Sequence, residues 1–282
     1  MTNNWLELVK DFQALLRPRT HLLSWKVLEK KEDLEGIPGV RKIGHRFFFC
    51  QALTIARRLG WTIGASPAKD DFWCPLTTYG GFMPVPDWDA INDEDYNRSP
   101  RSDNYWVKTK EDANKRLEAI PKLPEGKYKA MVVEPLYLQN FEPDVILFYG
   151  SPAQMCLLIN GLQWTDYERF QFYSVGEGAC TDSLLQCFLS KKPALAIPCI
   201  GERSVGGVAE DELDMALPPE VFPRAIEGLK ELFARGLRYP IRQGNPMVSP
   251  GPDFFETTYG PYNGKPEGFP LTLEDIERTI VV

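Results

Sequence analysis

The stretch Tyr173–Cys199, YSVGEGACTDSLLQCFLSKKPALAIPC, runs from an aromatic strand-like segment through a Gly-rich bend into an apolar helical run, then a short β-branched and apolar segment closed by Pro-Cys. The glycines supply a turn, Thr181, Asp182 and Ser183 are residues that open helices, and Cys180 falls where the helix begins. An earlier stretch, HRFFFCQALTIARRLGWTIGASPAKDDFWC (45–74), repeats this order: aromatic strand, Cys50, helix, strand, Cys74. The helix is expected over 51–60 and to end at Gly60, the residue that most easily takes a left-handed C-terminal cap. The fold expected from this pattern is mixed α/β. It is one compact domain of two pseudo-repeated strand–helix–strand halves, each carrying a Cys pair.

Outward from the two units, Trp5, Leu6, Leu8, Val9, Phe12, Leu15 and Leu16 recur at helical spacing over 3–16 and stop at Pro18. Thr109 with Asp112 opens a helix over 109–120. Ser151 followed by Pro152 opens another over 151–164, and a third runs 218–236 to Gly236. Strands are expected at 24–30, 45–50, 61–66, 126–136, 144–150, 169–174 and 193–199; DVILFYG (144–150) is apolar throughout, as a strand covered on both faces requires. Residues 82–106, rich in Pro, Asp and aromatics and without a period, read as a surface excursion or lid. The domain is placed at 1–238, with a Pro/Gly-rich extension at 239–282 packed on it and a last short helix at 272–281.

The chain has 282 residues, 43% hydrophobic and 25% charged, with a formal net charge of −7. Its charge argues against nucleic acid as a partner, since no basic stripe is present to meet phosphates. No apolar run approaches the ~20 residues that span a bilayer. The first twenty residues do not read as a signal peptide. The expected setting is the cytoplasm, with no membrane partner, a small-molecule substrate, and homo-oligomerisation left open.

Six cysteines stand at 50, 74, 156, 180, 187 and 199, against only two histidines, His21 and His45. Metal chemistry here must lean on sulfur. A thiol at a helix start is lowered toward the thiolate by unpaired backbone N–H groups, and thiolate is the form that ligates. The two units therefore nominate Cys50, Cys74, Cys180 and Cys199 as one ligand set, the units facing each other about a pseudo-twofold axis. The chain lacks closely spaced zinc knuckles and the ferredoxin C-x2-C-x2-C run. Dispersed thiolates on a folded scaffold suit a [4Fe–4S] cluster, with zinc or no metal as the alternatives. Cys156 and Cys187 read as core residues.

Several groups near these cysteines are candidates for chemistry. Glu177 stands by Cys180 as a general acid/base, and His45 precedes Cys50 as a proton donor. Arg203 follows Cys199 and suits a substrate carboxylate or phenolate. Tyr149 and Ser151 lie in a loop at the carboxyl end of a buried strand, where α/β sheets bind ligands, and Tyr79 follows Cys74. Each has a structural counter-reading: capping for Ser151, aromatic packing for Tyr79, a partly buried structural role for His45, a loop salt bridge for Arg203.

The segments FFFCQALTIARR, FWCPLTTYG, EPDVILFYGSPAQM, SVGEGAC and AIPCIGERSVGGVAEDELDMALP together resemble domain-of-unknown-function family 169, found in anaerobic bacteria and archaea. The resemblance spans roughly 20–238 and matches recurring family cysteines to Cys50, Cys74, Cys180 and Cys199. It implies an anaerobe-associated protein and no particular reaction. The expected function is a [4Fe–4S] enzyme acting on a small aromatic or carboxylic acid as a lyase, dehydratase or reductase. The alternatives are a non-catalytic redox- or ligand-sensing iron–sulfur module and a zinc-stapled or metal-free structural protein.

Overall fold

A computed structural model describes residues 4–67, 72, 74–87, 89–94 and 106–241. The chain divides into a unit 1–240 and a unit 241–282. The expected extension beyond 241, its helix at 272–281, and residues 88 and 95–105 of the excursion lie outside the described residues.

Six antiparallel strands form the centre of the first unit. They are β1 (Leu23–Leu28), β2 (Ile63–Ala65), β3 (Ala130–Pro135), β4 (Val145–Gly150), β5 (Ala194–Ala196) and β6 (Leu213–Leu217), in the order β2-β3-β1-β4-β6-β5. β1 and β4 lie side by side at the middle, pairing Leu23 with Leu147 and Trp25 with Val145. β2 and β5 are the two edges. Alternation along β4 explains why its apolar run is continuous: Val145, Leu147 and Tyr149 enter one core, Ile146 and Phe148 the other. The sheet is thus a middle layer covered on both faces. It is antiparallel, although an unbroken apolar strand is commoner in parallel sheets.

One face carries α1 (Trp5–Leu16), α5 (Pro152–Leu162) and α8 (Phe222–Ala234). In α1 the buried side chains are Trp5, Val9, Phe12 and Leu16, a single stripe, and Asn4 caps it by accepting from the Glu7 N–H. Phe12 meets Phe148 edge to face with centroids 4.9 Å apart. α5 and α8 cross where Gly161 and Gly228 leave room: a Cβ on Gly228 would collide with the Gly161 carbonyl.

The other face carries α2 (Phe49–Leu59), α3 (Leu76–Tyr79), α4 (Lys110–Ala119), and a π-helical segment (Thr181–Leu185) that continues into α6 (Gln186–Ser190). α7 (Ile200–Ser204) follows Cys199. The caps are those the sequence predicts. Gly60 is left-handed at φ 75°, Thr109 accepts from the Asp112 N–H at 3.1 Å, and Ser151 with Gln154 completes a capping box. The described part of the excursion is tied to α4, since the Lys110 ammonium donates to the Ile91 carbonyl at 2.8 Å and pairs with Asp93 at 2.8 Å.

Three expectations change. Residues 45–50 form only an isolated bridge at Phe47 before α2 begins at Phe49, two residues earlier than predicted. Phe47 and Phe49 both enter the core, and the Gln51 side chain accepts from the Phe48 N–H at 2.9 Å, starting the helix early. Residues 169–174 are not a strand; all but half-buried Phe170 are exposed. Their alternating aromatics have no strand to pair with, and the edge is taken by β5. β6 (Leu213–Leu217) is a strand that the sequence pattern does not predict; it carries a buried Asp214. Among the described residues no helix is long and apolar enough to cross a membrane.

Gly228→Ala is expected to force α5 and α8 apart and cost about 1–3 kcal/mol. Equilibrium urea unfolding of the variant against the parent chain measures it.

Candidate functional site

The site lies on the α2 face of the sheet, where segments far apart in sequence meet. Cys50 is the second residue of α2, 8% exposed, and its Sγ sits 3.7 Å from the Gly201 carbonyl oxygen. Gly206 makes this approach feasible: a Cβ there would stand 3.1 Å from the Cys50 Cβ and 2.8 Å from the Glu202 carbonyl oxygen. Cys74 precedes α3, and the backbone N–H groups of Phe49, Leu76 and Thr77 favour its thiolate. Cys180 caps the π segment, and Cys199 caps α7.

The charges of these four thiols act on one another. Burial pushes the Cys180 thiol up, and negative charge on Cys74, Glu202, Cys199 and Cys50 adds to it. Cys50 is raised by burial, then by Glu202, Cys74 and Cys199. Cys74 is pushed up to about 12, chiefly by burial, with the three backbone donors pulling the other way. Cys187 is buried too, but its charged neighbours are Lys191 and Glu220. Cys156 is exposed on α5, not in the core as expected, because the helix turns that position to solvent. Of the six cysteines, Cys50, Cys74, Cys180 and Cys199 are the ones whose charges act on one another.

Among the described residues no three His, Cys, Asp or Glu side chains are gathered closely enough to hold a single ion. A lone tetrahedral zinc needs its sulfurs within about 4 Å of one another, given Zn–S bonds of about 2.3 Å. A cubane cluster presents a separate iron to each thiolate and accepts wider spacing. Four sulfurs with no imidazole among them are a donor set that both zinc and iron–sulfur clusters take.

A buried polar group with little signature in the sequence acts on these thiols. Glu202, 1% exposed, accepts from the Tyr149 hydroxyl at 3.1 Å. Burial pushes the Glu202 carboxyl up to about 7 against the pull of Tyr149 and Arg57. Asp214, opposite Tyr149 in the β4–β6 pair, is raised well above the carboxylate range, first by burial and then by Glu202. The Arg57 guanidinium is wholly buried, lies 4.3 Å from the Tyr149 ring, and clasps Glu212 through two bonds of 2.8 and 3.1 Å. The only available signals were a charge inside an apolar strand (Asp214) and an acid one helical turn after Cys199 (Glu202).

The other nominated residues are distributed as follows. Glu177 forms an ion pair with Arg116 of α4, which fastens the 176–178 bend. Arg203 donates from Nε to the Pro198 carbonyl (3.1 Å) and from Nη1 to the Ala209 carbonyl (2.6 Å), bracing the loops around Cys199. His45 is exposed, with Nδ1 3.0 Å from the Arg46 carbonyl. Ser151 is the α5 cap, and Tyr79 is packed in the core. A surface cavity of about 400 Å³ is lined by Phe170, Phe172, Tyr173, Gln186, Lys192 and Arg224 among others; none of the four cysteines lines it.

The architecture defines a class: a three-layer α/β protein whose one sheet face carries a cluster of four thiols over buried acids. Residues 11–228 match domain-of-unknown-function family 169, described as "Uncharacterised ArCR", and the chain belongs to that family. An uncharacterized protein of Methanocaldococcus jannaschii is similar, 32% identical over 124 residues, which are 44% of this chain and 53% of the relative. The matched region thus spans about half the length of that curated relative. No solved structure matches.

Arg57→Ala is expected to cost about 3–5 kcal/mol by leaving Glu212 buried and unpaired. Burial acts to raise Glu212, but its bonds from Arg57 and the Ala209 N–H overcome this and hold it below the ordinary value. The pair's contribution is therefore present above the unfolded carboxyl value of about 4.3 and lost as pH falls through the folded one. Unfolding curves between pH 7 and 3 should fall less steeply in the variant.

Proposed function

We propose that this chain is an iron–sulfur enzyme that holds a [4Fe–4S] cluster on Cys50, Cys74, Cys180 and Cys199 and acts on a small organic acid. The observation that carries the reading is the mutual proximity of those four thiols, drawn from four separate segments, while Cys156 and Cys187 stand apart. As free thiols, Cys50, Cys74 and Cys180 resist ionisation. A cationic metal centre offsets both their burial and their repulsion, and its binding releases their protons.

The same reading includes a duplication. The halves 23–135 and 145–217 run in one order: central strand, Cys-bearing helical segment, edge strand, Cys, next-to-edge strand. Adjacent, antiparallel β1 and β4 with β2 and β5 at opposite edges support a pseudo-twofold axis between the halves.

Bound there, the cluster would supply electron transfer, or Lewis acidity at an iron left open by one ligand. The chain's own residues supply the rest. The backbone donors around Cys74 favour a negatively charged sulfur. Glu202, held by Tyr149, is an acid whose ionisation is poised near neutrality. Arg203 braces Cys199, and its Nη2, which carries no hydrogen bond among the described residues, is the donor left for a substrate carboxylate. Lyase or reductase chemistry on a carboxylic or aromatic acid is consistent with this set. A redox-sensing module is the second reading, favoured by the absence of the cysteines from the 400 Å³ cavity.

Protein purified without oxygen is expected to be brown, with about four irons and four sulfides per chain. Cys180→Ala should abolish iron retention and Cys156→Ala should not. Equal iron in the two variants, or colourless parent protein after reconstitution, refutes the assignment. Retained iron with no small acid bound in a calorimetric screen favours the sensing module.

A further inference from the structure

Asp214 is fully buried, and neither of its carboxyl oxygens has a hydrogen-bond partner. The same is true of Oε2 of Glu202, whose other oxygen takes the Tyr149 hydroxyl. Ser183 is near Asp214, but its hydroxyl donates to the Ala179 carbonyl at 2.8 Å. Burial without donors disfavours the ionised form of a carboxyl, so such groups neutralise or bind something.

The fold fixes this arrangement firmly. Asp214 lies between Tyr149 on β4 and Ala196 on β5, on the face turned to the thiols, while its neighbours Leu213 and Met215 enter the opposite core. The π segment, buried along its whole length, packs against β5 and β6. π turns are rare and recur at functional sites. The groups facing Asp214 are Tyr149 from β4, Asp182 and Ser183 from the π segment, and Glu202 from α7; Arg57, Arg203 and Glu212 act on Glu202 in turn. Asp182 is already tied, accepting the Val175 N–H at 2.9 Å.

We infer that Asp214 and Glu202 hold one proton between them in the resting protein, and with Tyr149 form a buried proton store beneath the cysteine cluster. One proton leaves the pair a single negative charge, which the Arg57 guanidinium over the Tyr149 ring partly offsets. It also leaves one of the two carboxyls neutral, which lowers the cost of burying oxygens that have no donors. Delivery of that proton to a ligand at the thiols rests on the iron–sulfur reading; the existence of the store does not.

The test is infrared spectroscopy of the full chain at pH 7, metal-free and iron-loaded, in H2O and D2O. A C=O band of a buried carboxylic acid is expected, shifting down in D2O, lost in Asp214→Asn and displaced in Tyr149→Phe. Its presence in the metal-free chain keeps this result independent of iron retention. Absence of the band in the parent, or its survival unchanged in Asp214→Asn and Glu202→Gln, overturns the inference. Should Asp214→Asn fail to fold, carboxyl 13C NMR of the parent decides: every Asp and Glu carboxyl ionised at pH 7 refutes it.

Discussion

A guanidinium cut off from water organises this protein. Arg57 leaves α2 some two turns after Cys50, binds Glu212 at the approach to β6, and lies over Tyr149 of β4. A charge buried this completely is tolerated only with matched partners. Those partners come from the half of the chain that carries Cys180 and Cys199. The pair is therefore a geometric lock: α2 takes the one position that satisfies it, and that position sets Cys50 against Gly201 and the α7 loop.

Around this lock the protein accumulates groups that work against stability. Buried thiols, two buried acids with orphan oxygens and a π segment all lie on the α2 face. The opposite face is conventional, an aromatic and aliphatic core of Phe12, Phe148, Phe222 and their neighbours under three helices. Well-packed apolar layers supply the stability that a strained polar face consumes, and departures from local rules concentrate where function resides. The family assignment fits this division without adding a reaction, so the chemistry must be argued from the polar face itself.

The elements legible in the sequence share a physical property: their signals are local. A helix declares itself through a 3.6-residue stripe and caps within four residues, as at Thr109, Ser151 and Gly60. Strands β2 to β5 were visible because they are short, apolar and bounded by turns. Where the local signal conflicted with packing, packing won. Residues 169–174 alternate like a strand and find no partner; β6 carries a buried acid and still pairs on both sides.

The candidate site divides along the same line. By itself the sequence determined which cysteines to suspect, because Cys50, Cys74, Cys180 and Cys199 occupy matching places in two like-ordered segments and Cys156 and Cys187 do not. Only the tertiary structure decided what stands beneath them. Tyr149 faces Asp214 through strand register, Glu202 reaches Tyr149 from α7, which packs on α2, and Glu177 pairs with Arg116. Those are contacts between residues tens of positions apart. Their partners are chosen by which buried charge must be satisfied, a condition that exists only once the sheet is assembled.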